Sequence, residues 1–162
     1  LVRLPQERRN GINIHVLVVG TGELMEAAEA MVRQHDLPVT FAGFLNQGEI
    51  ARAYVAADCL VLSSDYDETW GLVVNEAMVC GIPAIVSDRA GCGPDLIEVG
   101  VTGDIYPFGD VEALADCMVR MAGDIDELRE MGKQAQRRVL QEYSVEKAVE
   151  GTVKAIEAVI RK

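Results

Sequence analysis

The sequence is short of basic residues and has no long apolar segment, and both shortages exclude functions. Its 162 residues include 15 Lys and Arg against 26 Asp and Glu, a net charge of −11. Such an acidic chain lacks the basic face that sequence-independent binding to nucleic acid or to an anionic membrane needs. No apolar run reaches the roughly 18–20 residues of a transmembrane helix. Charges also interrupt any leader peptide after Leu1, and we expect an internal piece of a longer protein.

The spacing of the cysteines argues against a structural zinc site. No CxxC pair is present, and His15 and His35 lie far from every cysteine along the chain. Those with apolar neighbours are expected to be buried, and we predict a reducing, cytoplasmic location. The cysteines are Cys59, Cys80, Cys92 and Cys117.

Short apolar runs alternate with helix-length segments along most of the chain. The composition, 49% hydrophobic and 25% charged, is typical of one globular domain. Runs that are apolar at successive positions predict strands covered on both faces, so we expect an α/β fold with one doubly wound parallel sheet. Two amphipathic helices after residue 122 are expected to cover that sheet. The predicted strands are 14–19, 39–42, 59–62, 83–86 and 104–106, and the predicted helices before residue 123 are about 22–36, 47–56, 71–80, 93–99 and 110–122.

The acidic charge is concentrated where the later strands end. Residues 61–110 hold nine acidic residues and one basic residue, Arg89, a net charge of −8. Ligands of open α/β sheets bind at the carboxyl ends of the strands. An acidic edge there favours either a polyhydroxylated ligand held by carboxylates or a metal ion. For Arg89 we expect a surface role.

The segment after the third predicted strand carries the chemistry. The helix predicted to start near Gly71 is apolar almost all round, so the carboxylate of Glu76 within it should have a partner. Its first-turn amides and dipole form an anion site, which Gly71 would leave unobstructed. We expect one extended ligand, with a phosphate at the helix start and polyols held by Glu68 and Glu76 in a shared hollow.

This segment resembles the signature of family 4 (group 1) retaining glycosyltransferases, which are two-domain enzymes of the GT-B fold that use nucleotide-sugar donors. The resemblance rests on Glu68-x7-Glu76, an E-x7-E motif within E-T-W-G-L-V-V-N-E-A-M-V-C-G-I-P. Further segments match in order and spacing over roughly residues 15–115. They are Val18–Gly22, Val39–Gly43, Tyr54–Ser64 and Gly103–Leu114.

The resemblance implies that residues 1–162 form the donor-binding, C-terminal domain of a hexosyltransferase. Glu76 would bind the ribose hydroxyls, and Glu68 would serve as the catalytic-site carboxylate that binds and stabilises the transferred sugar. The resemblance implies no cofactor and no metal, because the nucleotide-sugar is a substrate. Backbone amides at the helix start would bind the diphosphate and a loop after the second strand would flank the base: Trp70, Gly71, Leu72 and Val73, and Gly43, Phe44 and Leu45.

The family also has parts that this sequence does not show. A G-R…K-G segment, at the first strand and helix of the domain, supplies cations for the diphosphate, and an N-terminal domain binds the acceptor. Both are expected before Leu1. The N-terminal domain of the same polypeptide is therefore an expected partner, and a membrane surface is one only through that domain. We expect the 162 residues alone to bind donor weakly and not to turn over.

Other interpretations stay open at this point. A non-catalytic sugar-nucleotide-binding or assembly domain is the main alternative. Asp65 and Asp67 resemble a metal-binding DxD, although a solvated acidic loop fits the surrounding pattern better. Gly20-Thr21-Gly22 suggests a dinucleotide site, but Met25 replaces the third glycine and no acid ends the second strand. The indole of Trp70 either packs under the sugar or fills the core beneath the loop.

Overall fold

A computed structural model describes residues 12–65 and 67–161, so the segment that begins at Leu1 lies outside the described residues. Strands and helices alternate as predicted, and two long helices follow. The strands are β1 (Val16–Val19), β2 (Val39–Gly43), β3 (Leu60–Leu62), β4 (Ala84–Ser87) and β5 (Gly103–Tyr106). The helices are α1 (Met25–His35), α2 (Ile50–Val55), α3 (Leu72–Val79), α4 (Gly93–Leu96), α5 (Val111–Ala122), α6 (Ile125–Glu142) and α7 (Val145–Ile160).

All five strands pair in parallel, which confirms the α/β fold class, but they form two sheets and not one. One sheet pairs β1 with β2, placing Val16 opposite Val39. The other has the order β3-β4-β5. In the doubly wound order 3-2-1-4-5-6, the second and fourth strands lie on either side of the first. Among the described residues β1 and β3 are not hydrogen-bonded neighbours, so the strands of the predicted parallel α/β fold lie in two sheets.

The first sheet and its helix form an open region, which we define as residues 12–53. No residue in this range is buried. Helix α1 has no buried side chain, and its Met31 is 48% exposed. The strands and helix of this region form as their sequence patterns predict, but the described residues bring no second layer against them.

The packed region, residues 71–139, contains two apolar clusters on opposite faces of β4. All four residues of β4 are buried. One cluster joins Val86 of β4 to Met78 of α3 and Val139 of α6, and the other joins Ile85 to residues of α5 and α6. These are the two faces that successive residues of a strand present.

Helix α6 approaches α3 closely enough to require a glycine. A side chain at Gly132 would collide with the carbonyl oxygen of Gly81, just after the end of α3. The side-chain amide of Gln136 also donates to the carbonyl of Val79 at 2.6 Å. The C-terminal end of α3 is therefore held against α6.

Of the two last helices, only α6 covers the sheet. Helix α7 has no buried residue, so the prediction that it also packs on the sheet was wrong. Its apolar positions form an exposed stripe because the described residues provide no surface for them. The stripe consists of Val145, Val149, Val153, Ile156, Val159 and Ile160. None of the helices in the described part of the chain is long and apolar enough to span a membrane.

Candidate functional site

The loop after β3 leads into α3 through a glycine in the left-handed region. Gly71 has φ +101° and ψ 59° and precedes the first helical residue. A β-carbon at this position would lie 2.9 Å from Cδ2 of Leu62 and 3.2 Å from the Sγ of Cys92. The expectation that Gly71 clears space for a phosphate was therefore wrong, since its missing side chain points into the core. Glycine is needed here for the backbone turn and for packing.

The start of α3 is open. No side chain caps it, and its first internal hydrogen bond runs from the amide of Val74 to the carbonyl of Gly71 at 2.9 Å. Among the described residues, the amides of Leu72 and Val73 have no hydrogen-bond acceptor. The side chain of Leu72 is 70% exposed. Free first-turn amides and the helix dipole make this position suitable for an anion.

The loop between β4 and α4 packs against the backbone that precedes α3. The amide of Cys92 donates to the carbonyl of Trp70 at 2.8 Å, and any side chain at Gly91 would collide with the carbonyl of Thr69. The thiol of Cys92 is fully buried, and burial raises its pKa to about 11. The turn that contains Gly91 therefore holds the backbone before α3 in place.

The indole of Trp70 packs into the protein. Its Nε1 donates to Oδ1 of Asn75 at 2.7 Å, and its ring centroid lies 6.4 Å from that of Tyr143. The ring also contacts the apolar cluster of α3 and β4. Of the two interpretations of this side chain, the structure favours the one in which it fills the core beneath the loop. A diphosphate contact by the Trp70 amide stays a prediction.

Glu68 lines a hollow on the β5 side of the loop. The hollow is a shallow depression, widely open to solvent, of about 460 Å³; its lining is acidic, with one aromatic residue contributed by the loop after β5. Glu68 itself is half-buried. The other lining residues are Ser63, Ser64, Asp65, Asp67 and Phe108.

Glu76 lies on a different side of the helix, facing α2. The hydroxyl of Tyr54 donates to its Oε2 at 2.7 Å. The Tyr54 side chain is only 7% exposed, and burial together with this hydrogen bond raises the tyrosine pKa above its ordinary value. The expectation that Glu76 has a partner is confirmed. Sequence reasoning did not identify Tyr54 as that partner.

The two carboxylates are not brought into one hollow. The 460 Å³ hollow is lined by Glu68 and not by Glu76. Glu68 lies towards the loop after β5, whereas Glu76 contacts a side chain of α2. The expectation of a shared hollow is therefore wrong for the described residues. A ligand that reached both carboxylates would have to pass across the open start of α3.

The loop predicted to flank a nucleobase lies at the carboxyl end of the other sheet. Gly43 ends β2 with φ +70°, and its carbonyl accepts a 2.8 Å hydrogen bond from the amide of Gly20 at the end of β1. Phe44 is 75% exposed, and Leu45 is half-buried. The structure places these residues at a strand end, as predicted, but in the open region.

The acidic residues near the site do not form a metal-binding cluster. In residues 12–65 and 67–161, no three His, Cys, Asp or Glu side chains converge as metal ligands would. Asp65 instead accepts a hydrogen bond from the backbone amide of Asp67 at 3.1 Å, as a turn residue does.

Comparison with known proteins gives a consistent match. The family model described as "Glycosyl transferases group 1" matches residues 2–138. N-acetyl-alpha-D-glucosaminyl L-malate synthase of Bacillus anthracis is 31% identical over 85% of this chain. Sulfoquinovosyl transferase SQD2 of Arabidopsis thaliana is 34% identical over 87%. The crystal structure of HepE from Anabaena in complex with UDP-glucose has the same fold, with a TM-score of 0.77 and 24% identity over 89% of this chain.

These similarities cover only part of the known proteins. The chain spans 36% and 26% of the lengths of the two relatives, and 41% of HepE. The matched region includes β1 to β5 and the loop and helix that carry Glu68 and Glu76.

Proposed function

The chain belongs to the group 1 glycosyl transferases, and from that premise we propose that it is the donor-binding domain of a retaining enzyme that transfers a hexosyl-type group from a nucleotide-diphosphate sugar. The observation that carries the proposal is the uncapped start of α3, with a carboxylate on either side. Amides suit the diphosphate, and carboxylates suit sugar hydroxyls, which are hydrogen-bond donors. HepE, a protein of the same fold, binds UDP-glucose, which supports this class of donor.

Each group at the site has a separate role in this proposal. The amides of residues 70–73 bind the diphosphate, Glu76 binds the ribose, and residues 43–45 flank the base. Glu68 binds the transferred sugar within the 460 Å³ hollow. The helix start supplies the positive potential at the leaving group, so the proposal includes no resident metal or cofactor.

In the proposed reaction, the bond between the anomeric carbon and the phosphate oxygen breaks, and a bond to the acceptor oxygen forms on the same face of the sugar. The proton of the acceptor hydroxyl passes to the leaving phosphate. Glu68 stabilises positive charge that develops on the sugar and does not attack the anomeric carbon. Electrostatic stabilisation of this kind is a common source of catalysis.

The split sheet supports a proposal about the rest of the domain. We propose that a strand preceding this chain lies between β1 and β3 in the parent polypeptide, which would give the doubly wound order. Leu17 of β1 and Val61 of β3 are both 38% exposed and would then be covered. The helix and the cations that follow that strand, together with an N-terminal acceptor-binding domain, would complete the site. The four free thiols agree with a cytoplasmic location, which we also propose.

A non-catalytic assembly domain is the second candidate, and the exposed apolar stripe of α7 favours it. The test is calorimetric titration of the chain with UDP, GDP and ADP. The donor-binding proposal expects one nucleotide to bind, and Glu76→Gln to weaken it about 10-fold or more, since a hydrogen bond to a charged group contributes about 1.5–3 kcal/mol. Glu142→Gln, which changes an exposed carboxylate at the C-terminal end of α6, is the matched control and should leave binding unchanged. Binding of none of the three nucleotides would leave the assembly function as the better conclusion.

Sugar transfer is expected from the parent protein but not from this chain alone. The 162 residues alone are expected to give no transfer in a radiolabelled-sugar assay with UDP-glucose, because the acceptor-binding part is elsewhere in the polypeptide. Transfer by the purified chain would overturn that expectation. In the parent protein, Glu68→Gln is expected to lower kcat, whereas Glu142→Gln is not.

A further inference from the structure

We propose that Tyr54 is a positioning residue that holds Glu76 ready for a ribose diol and thereby sets the preference for a ribonucleotide over a deoxyribonucleotide. This inference rests on the proposed function, in which Glu76 binds the ribose. Nothing in the E-x7-E motif itself indicates a role for a tyrosine on the preceding helix.

The contact joins two helices that are well separated along the chain. Tyr54 lies on α2, 22 residues before Glu76, and its hydroxyl reaches the carboxylate at 2.7 Å. The ring of Tyr54 is buried, whereas Glu76 is exposed on α3. A buried side chain therefore restrains an exposed one.

The restraint lowers the entropic cost of ligand binding. An exposed glutamate samples several rotamers, and ordering such a side chain costs up to about 1.5–2 kcal/mol. A hydrogen bond from a neutral hydroxyl to a carboxylate is short and strong. Because Tyr54 orders Glu76 before the ligand arrives, the ligand does not have to bear that cost.

The remaining lone pairs of Glu76 match a vicinal diol. An ionised carboxylate offers about four acceptor positions on two oxygens. Tyr54 occupies one position on Oε2, which leaves Oε1 and the other side of Oε2 for two more donors. The 2′- and 3′-hydroxyls of a ribose supply two donors at adjacent carbons, whereas a deoxyribose supplies one.

The hydroxyl of Tyr54 keeps this role over a wide pH range. Burial and the neighbouring carboxylate raise the pKa of the phenol, so it stays protonated and can only donate to Glu76. Ring packing is a separate contribution, which a phenylalanine preserves.

The test compares ribose and deoxyribose forms of one nucleotide. Calorimetric titration of the chain uses UDP, GDP and ADP with their 2′-deoxy counterparts, and the tightest-binding pair gives the ratio of the two Kd values. We expect Tyr54→Phe to weaken the ribonucleotide about 3- to 10-fold, the range of a single net hydrogen bond. Its effect on the 2′-deoxynucleotide should be smaller, so the ratio falls towards one. Tyr143→Phe, which removes a hydroxyl elsewhere, is the control and should leave the ratio unchanged.

The outcomes separate this inference from the proposed function. If Glu76→Gln removes the preference for the ribonucleotide but Tyr54→Phe leaves it intact, only the role of Tyr54 is overturned. If Tyr54→Phe weakens both nucleotides equally, its hydroxyl does not act through the ribose diol, and the inference is again overturned. If Glu76→Gln itself leaves the ratio unchanged, or if no nucleotide binds, the proposed function fails and this inference fails with it.

A second variant keeps the test valid if Tyr54→Phe does not fold. Glu76→Asp shortens the side chain by one methylene and withdraws the carboxylate from the Tyr54 hydroxyl. It should lower the ratio although the charge remains. Where Tyr54→Phe does fold, a double-variant cycle is a further test, in which Tyr54→Phe should add less to Glu76→Asp than it does to the parent chain. Full additivity would overturn the inference.

Discussion

The open region (residues 12–53) and the packed region (residues 71–139) are built from the same kinds of element but differ in burial. Parallel strands with helices occur in both. The strand β4 has a hydrogen-bonded neighbour on each side and an apolar cluster on each face, whereas β1 and β2 have only each other among the described residues. Local sequence pattern is enough to form strands and helices, but burial depends on what lies next to them.

This difference has a consequence for where stability resides. The apolar surface removed from water is the main stabilising term in folding, and in this chain nearly all of it lies in the packed region. The open region is therefore expected to be the part that opens first. Three pairs of measurements test the comparison.

The largest difference is expected between two methionines on helices. Met78 on α3 is fully buried, and Met31 on α1 is 48% exposed. Met78→Ala should lower the free energy of unfolding by about 2–5 kcal/mol. Met31→Ala should change it by no more than about 0.5 kcal/mol. Urea unfolding followed by circular dichroism measures both, and equal losses would contradict the division into two regions.

A smaller difference is expected between two glycines with positive φ. An alanine costs roughly 1–2 kcal/mol in the left-handed region, at either position. Gly71→Ala also forces a β-carbon against Leu62 and Cys92, whereas a β-carbon at Gly43 meets nothing within 4 Å. Gly71→Ala should therefore be the more destabilising by about 1–3 kcal/mol in thermal or urea unfolding. A larger loss from Gly43→Ala would contradict the absence of close packing around Gly43.

The smallest effect is expected from alkaline pH. Burial raises the pKa of Cys92 to about 11, and an exposed thiol in the unfolded chain ionises near pH 9. Its contribution to stability is present below pH 9 and is lost as pH rises from 9 to 11. Between pH 8 and 9.5 this loss is under about 1 kcal/mol for the one thiol.

Urea unfolding at pH 8 and at pH 9.5 should show a smaller decrease in Cys92→Ala than in the parent chain. The thiol of Cys59, with its pKa raised to about 12, adds to the decrease in both proteins. The open region contains no cysteine. An identical decrease in the variant would mean that Cys92 ionises as freely in the folded chain as in the unfolded one.

Much of the fold follows from the sequence, because its strongest signals are local. The predicted apolar runs become β1 to β5, and all of them are parallel. What the sequence does not predict is what lies beside an element. The division into two sheets depends on which strands are neighbours, and the exposure of α7 depends on whether a surface exists for its apolar stripe. Neither feature can be predicted from the hydrophobic periodicity of the element itself.

Part of the site, like part of the fold, was predictable from the sequence. The spacing of Glu68 and Glu76 around a helix start identifies the segment, and the structure has α3 begin one residue after Gly71. The partner of Glu76 was predicted to exist, but naming Tyr54 needs the packing of α2 on α3. Gly71 was expected to leave space for a phosphate, but a β-carbon there would point into the core. The sequence could not show this, because the direction of a β-carbon depends on the backbone angles.

The close approach at Gly132 lets α6 influence the helix start at which we propose that a diphosphate binds. Since α3 has eight residues, its first turn lies only about 12 Å from the end that α6 holds. The close backbone contact at Gly132, together with the hydrogen bond from Gln136, holds the C-terminal end of α3 and so restrains the direction in which its first-turn amides point. Under the proposed function, substitutions on the face of α6 that packs against α3 are therefore expected to change the affinity for the diphosphate without altering any residue of the site.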